Sequence, residues 1–144
     1  FNDHFGFSRG DKVLRFVAEL LTSTLNDAAD FVGHVGGDDF VAILRGAAWQ
    51  RSIERILQQF DDCISGFYNG NIGCVITTVD REGCPRQYGK MTLSVGAVVV
   101  DQSAGPCALD LSEAAAIAKH HAKAIRGSSL YVHEAVNQPA AATE

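Results

Sequence analysis

Phe31-Val32-Gly33-His34-Val35-Gly36-Gly37-Asp38-Asp39-Phe40-Val41-Ala42-Ile43-Leu44 decides the fold: two short β-prone runs stand on either side of Gly36, Gly37, Asp38 and Asp39. Glycine supplies the positive φ that a tight turn needs, so Asp30 to Arg45 reads as a β-hairpin with two adjacent carboxylates at its tip. Upstream, Val13, Leu14, Phe16, Val17, Leu20, Leu21 and Leu25 recur with helical spacing, as the buried face of a helix from Arg9 to Leu25 requires. Asn26 and Asp27 end it. Downstream, Trp49, Ile53, Ile56, Leu57, Phe60, Cys63, Ile64 and Phe67 keep the same period until Tyr68-Asn69-Gly70-Asn71 stops it.

Two further strands are predicted, Cys74 to Val79 and Lys90 to Val100, paired antiparallel across the polar, turn-rich connection from Asp80 to Pro85. Beyond Gly105-Pro106, Asp110 and Glu113 imitate a capping box and open a helix through about Ile125. Ser129 to His133 adds a last strand, and residues 134–144 lack periodicity and should form a mobile tail. The order helix, hairpin, helix, two strands, helix, strand predicts an α+β fold with helices flanking a central, largely antiparallel sheet. No internal repeat and no linker divides the chain.

With 144 residues, 47% apolar and 20% charged, the chain falls among globular proteins and is expected to bury roughly 70% of its unfolded surface around one core. A net charge of −5 argues against a nucleic acid partner and leaves room only for a local anion site. Cys63, Cys74, Cys84 and Cys107 lack zinc spacing and read as core or surface thiols in a reducing cytoplasm. No signal-peptide pattern opens the chain, and no apolar run is long enough to cross a membrane. Phe1 in place of an initiating Met suggests a piece of a longer protein.

Asp38 and Asp39 are the chemical focus. Oxygen-only ligands beside glycines that admit close approach suit Mg²⁺ (or Mn²⁺), which takes one or two carboxylates and completes its shell with water and phosphates. A solvated turn in which Asp caps its own backbone is the other reading of the same residues. His120 and His121 diverge by about 100° on a helix and read as surface residues, not as a chelating pair. Arg81 and Arg86 flank a loop and fit either an anion site or plain solvation.

The opening Asn2-Asp3-His4-Phe5-Gly6-Phe7-Ser8-Arg9-Gly10-Asp11, the helix after it, and then Gly36-Gly37-Asp38-Asp39-Phe40 resemble the GGDEF domain of bacterial diguanylate cyclases. Ser94-Val95-Gly96 is similar to that family's Ser-x-Gly strand, and Ala122-Lys123 with Gly127 resembles its C-terminal Ala-Lys helix. The resemblance covers residues 1–133 and implies a nucleotide-cyclase, palm-like domain. It further implies that Asn2 and Asp11 read the guanine edge, where an amide both donates and accepts and a carboxylate accepts from two donors. By the same resemblance Gly36 and Gly37 line the nucleotide, Asp38 and Asp39 hold the metal and serve catalysis, and Lys123 contacts phosphate, with Lys119 one turn before it. In the family two domains, each holding one GTP, meet face to face; a 3′-hydroxyl attacks an α-phosphate to give cyclic di-GMP and pyrophosphate.

Departures from the family pattern stand beside the matches. Phe7 replaces the usual His, His34 stands where an Arg commonly precedes the signature, and Asp39 replaces Glu, shortening the arm by one methylene. Arg126-Gly127-Ser128-Ser129 takes the place of Gly-Arg-Asn. Asp27-Ala28-Ala29-Asp30 stands where the family's Arg-x-x-Asp feedback motif would be, so the arginine fork for product phosphate is missing. These variants resemble a branch in which the GGDEF domain ends a longer protein carrying EAL and CBS domains. The expectation is a degenerate GTP-binding or regulatory module of cyclic di-GMP signalling; an active cyclase homodimer is the alternative. Because Asn2 stands almost first, the family's first strand and its aspartate are expected to be missing, and the chain as given is expected to make no cyclic di-GMP.

Overall fold

The computed structural model describes residues 2–26, 28–68, 76–79, 83–100 and 108–134. It consists of two compact units, Phe1–Met91 and Thr92–Glu144. The apolar period upstream of the hairpin becomes helix α2 (Phe7–Thr24), preceded by the single turn α1 (Asn2–Phe5). Gly6, at φ 82°, makes the sharp corner between them, a conformation that residues with a Cβ rarely adopt. The second period becomes α3 (Trp49–Cys63), which tightens into a 3₁₀ turn (Ile64–Tyr68).

The core of the first unit lies between these helices. Val13, Val17, Leu20, Leu21 and Leu25 from the α2 side meet Ile53, Ile56, Phe60, Ile64 and Tyr68 from the α3 side. A fully buried side chain of this size is worth about 1.5–3 kcal/mol. Phe16 knits the seam, its ring 6.2 Å from that of Phe60 and 5.4 Å from that of Phe67. Buried Tyr68 packs edge-on to Phe5 at 5.7 Å, and its hydroxyl accepts the Met91 N–H at 2.7 Å.

Strands β1 (Phe31–Gly36) and β2 (Asp39–Ile43) form the hairpin, antiparallel, with Phe31 opposite Ile43 and His34 opposite Phe40. This ladder has two strands only among the described residues, and Phe31 and Ile43 on one of its faces stay 55% and 56% exposed. At its open end the Asp30 carboxylate accepts the Arg45 N–H at 3.2 Å. Thr24, Leu25, Asp30, Leu44, Trp49 and Arg55 help to line a cavity of about 230 Å³ there.

Pairing beyond α3 differs from expectation. Strand β3 (Ile76–Val79) pairs with β4 (Pro85–Tyr88), not with the apolar strand that follows. The expected connection from Asp80 to Pro85 ends before Pro85, which starts the second strand of a hairpin; closing this shorter loop costs less entropy than closing one that reaches Lys90. The apolar strand, β5 (Ser94–Val99), begins at Ser94 and not Lys90, and pairs parallel with β6 (Ser129–Glu134). Parallel neighbours need a crossover, and α4 (Ala108–Ala124) supplies it. Among the described residues two of the three ladders are antiparallel, and the fold is α+β. Asp110 is not a cap: the helix starts at Ala108, and Asp110 sits in its first turn, where a carboxylate still favours the helix dipole.

In the second unit α4 lies tightly on β5 and β6. Ala118 and Ala122 are fully buried, and a Cβ on Gly96 would stand 2.5 Å from the Ala118 carbonyl carbon and 2.8 Å from the Lys119 Cα. Only glycine lets the helix backbone come this close. The Ser129 hydroxyl donates to the Ala122 carbonyl at 2.8 Å, and the Ser128 hydroxyl accepts the Leu93 N–H at 3.0 Å, so the helix end and both strand starts are tied together. No helix among the described residues is long and apolar enough to cross a membrane. The expected turn at Asn69-Gly70-Asn71, the Gly105-Pro106 break, Cys74, Cys107, Arg81 and residues 135–144 lie outside the described residues.

Candidate functional site

The glycine turn takes its shape from backbone freedom, not from crowding. Gly36 and Gly37 have φ of 149° and 58°, yet a Cβ at either would meet nothing within 4 Å. Conformation, not space, calls for glycine at both positions. A bulge between His34 and Gly36 pushes Val35 outward, and Gly36 then pairs with Asp39. Asp38 is thus exposed at the tip, while Asp39, the first residue of β2, is half-buried.

The two carboxylates are neighbours in sequence with different surroundings, one in the turn and one in the ladder. Among the described residues no cluster of three or more His, Cys, Asp or Glu could hold a metal ion by itself. The donor set still fits Mg²⁺ chemically, since that ion takes one or two carboxylates and draws its remaining oxygens from phosphate and water.

In the sequence His34 stands out only as a replacement. In the fold its Nε2 lies 3.0 Å from the Gly37 carbonyl oxygen, and its ring stacks on that of Phe40 at 4.7 Å and 23°. The signal was present in the chain, because hairpin register places these two aromatic rings opposite one another, but it becomes readable only once the bulge is known.

A second group of the expected residues gathers at the α1–α2 corner. Asn2 lies in α1, and its side chain rests on Gly10 of α2: an added Cβ at Gly10 would overlap the amide oxygen and stand 2.9 Å from Cγ. Gly10 is buried, whereas Asn2 and the adjacent Asp11 are exposed. Both expected base-reading side chains therefore leave one corner, which the Gly6 N–H closes by donating to the Asn2 carbonyl at 2.8 Å. The Arg9 guanidinium covers the Phe5 ring at 5.0 Å on the same corner. Asp11 lies beyond the first turn of α2, whose N-cap position is Gly6.

Lys123 belongs to the second unit, exposed in the last turn of α4. Lys119, one turn earlier, is half-buried over Gly96. His121 stacks on Tyr131 at 4.7 Å, and the rings of His120 and His121 are 6.0 Å apart at 74°, an arrangement for packing and not for chelation. Cys63 and Cys84 are exposed thiols. The structure thus brings Asn2 together with Asp11, and Gly36, Gly37, Asp38 and Asp39 with one another.

A family model described as diguanylate cyclase, GGDEF domain, matches residues 1–129. Over 62 residues the chain is 39% identical to a diguanylate cyclase of Vibrio cholerae serotype O1; the match covers 41% of this chain and 19% of that protein. Only a minor part of that relative's length is therefore spanned. No solved structure matches the chain.

Proposed function

Because the chain belongs to the GGDEF family of diguanylate cyclase domains, and so to cyclic di-GMP signalling, we propose that it serves there as a degenerate GTP-binding or regulatory module. The observation that carries this reading is the glycine turn: the positive φ of Gly36 and Gly37 displays Asp38 at the tip, while Asp39 is short and half-buried in the ladder. A turn of this kind can still take part in binding. Its second carboxylate is poorly suited to the finer alignment that turnover demands, where a misplacement of order 1 Å removes about a hundredfold in rate.

In this reading Asn2 and Asp11 select guanine from the α1–α2 corner, and Gly36 and Gly37 let the nucleotide approach the backbone. Asp38, with Asp39, would hold Mg²⁺ or Mn²⁺, which when bound neutralises phosphate charge. Lys123 offers a point charge for phosphate from the last turn of α4. Such a module works in the cytoplasm, where GTP and Mg²⁺ are available, as part of a longer protein whose EAL, CBS or sensor domains it tunes.

An active cyclase working as a homodimer is the second reading, favoured by the name of the Vibrio relative. Incubation with GTP and Mg²⁺ followed by chromatography separates the two. Saturable Mg·GTP binding without cyclic di-GMP supports the module; cyclic di-GMP formation establishes the cyclase; absence of both removes the GTP site.

A further inference from the structure

Resting on that GTP-site reading, we propose that His34 is a positioning residue for Asp38: it fixes the peptide joining Gly37 to Asp38 and so aims the Asp38 carboxylate. A carbonyl oxygen can only accept, so the 3.0 Å approach of His34 Nε2 to the Gly37 oxygen requires a proton on Nε2. The peptide is planar and trans, so holding its carbonyl on the His34 side turns the Asp38 N–H to the opposite side and sets the plane from which the Asp38 side chain departs.

Such restraint is needed at this point. Two successive glycines leave the turn wide backbone freedom, and Val35, 73% exposed, contributes little packing. The ring is itself held: cross-strand Phe40 lies against it at 4.7 Å, in register. Phe40 thus steadies the imidazole, the imidazole steadies the Gly37 carbonyl, and the carbonyl orients Asp38. An arginine at position 34 would present several donors on a longer arm; a histidine presents one, at a fixed height above Phe40.

The test uses the full chain and two variants. His34→Phe keeps an aromatic ring on Phe40 and removes the donor; His34→Gln restores an N–H donor without the ring. Calorimetric titration should show His34→Phe weakening Mg·GTP roughly threefold to tenfold, the range of one exposed hydrogen bond. His34→Gln should recover most of the loss, and affinity for GTP in EDTA should be the same in all three proteins. Equal weakening with and without Mg²⁺ would make His34 a structural residue and overturn the proposal, as would Mg·GTP affinity unchanged in His34→Phe.

Nitrogen NMR of His34 at mildly alkaline pH provides a readout that needs no ligand: the proton should reside on Nε2, and residence on Nδ1 refutes the hydrogen bond. Asp38→Ala separates the two levels of inference. If it leaves Mg·GTP affinity intact, the GTP-site reading fails; if it abolishes that affinity while His34→Phe does not weaken it, only the positioning role fails. Should the parent bind no Mg·GTP, the His34 tautomer and the Asp38 amide shift in His34→Phe decide the positioning role alone.

Discussion

Gly96→Ala probes the closest backbone approach in the second unit. The added methyl would stand 2.5 Å from the Ala118 carbonyl carbon and 2.8 Å from the Lys119 Cα, and it would meet the Lys119 amide nitrogen as well. Ordinary contact between such atoms begins near 3.5 Å, so helix and strand must part by roughly 1 Å. None of the three is a side-chain atom that could swing aside. Overpacking a core typically destabilises by about 1–3 kcal/mol, and resistance from backbone places this substitution near the upper end. At about 2–4 °C per kcal/mol for a chain of this size, the melting temperature should fall by roughly 6–12 °C. Gly66→Ala is the matched control, because nothing lies within 4 Å of a Cβ there and no positive φ opposes it. It should be neutral or slightly stabilising. Differential scanning calorimetry of the three proteins decides the matter: Gly96→Ala melting with the parent would mean that α4 does not lie on β5 at this distance.

Asp38→Ala should reduce Mg²⁺-dependent GTP affinity at least about tenfold, since one of two carboxylates is lost, and should leave the melting temperature alone because Asp38 is exposed; isothermal titration with and without Mg²⁺ reads the first outcome and scanning calorimetry the second. Asp11→Ala should erase preference for GTP over ATP, and Gly10→Ala should do the same by pushing the Asn2 amide off its seat even though alanine favours the helix by about 1 kcal/mol. An unaltered GTP to ATP affinity ratio in either variant would count against the corner as the base reader. Cyclic di-GMP at low micromolar concentration should leave the amide spectra of Asp30 and Phe31 unmoved, because Asp27 offers no guanidinium fork and the Asp30 carboxylate is engaged with the Arg45 N–H; shifts confined to these residues would show a feedback site.

What could be read in the chain was what local physics decides. The apolar period of α2 and α3 and the paired glycines of the hairpin each repeat a constraint that acts within a few residues, and the helices and turn stand where these put them. Strand partners are a different matter. Pro85-Arg86-Gln87-Tyr88 has no apolar alternation and only Tyr88 as a large apolar residue, yet it pairs with β3, while β5 finds β6 across a whole helix. Pairing of either kind depends on which faces are left to bury, and one sequence does not carry that. Asp110 and Glu113 have capping-box spacing, but the cap belongs to whichever residue precedes the first helical one, and α4 begins two residues before Asp110. The candidate site divides by geometry: the turn and its carboxylates were legible, whereas the Asn2 seat on Gly10 depends on the sharp corner at Gly6 and the ring of His34 over Phe40 on the hairpin bulge, neither of which residue spacing shows.

The hairpin that carries Asp38 has two strands among the described residues and an apolar face still open to water. With Phe31, Val35, Val41 and Ile43 exposed, little apolar burial holds the ladder shut, so it should open while the aromatic seam around Phe16 and Tyr68 stays closed. Amide hydrogen exchange would resolve this as two populations: rapid loss of label from His34 to Val41, and slow loss from α2 and α3. The lifetime of the assembled turn is then set by a local opening equilibrium, to which a whole-chain melting curve is blind. Anything that seats on Asp38 would register first as slowed exchange in that short stretch.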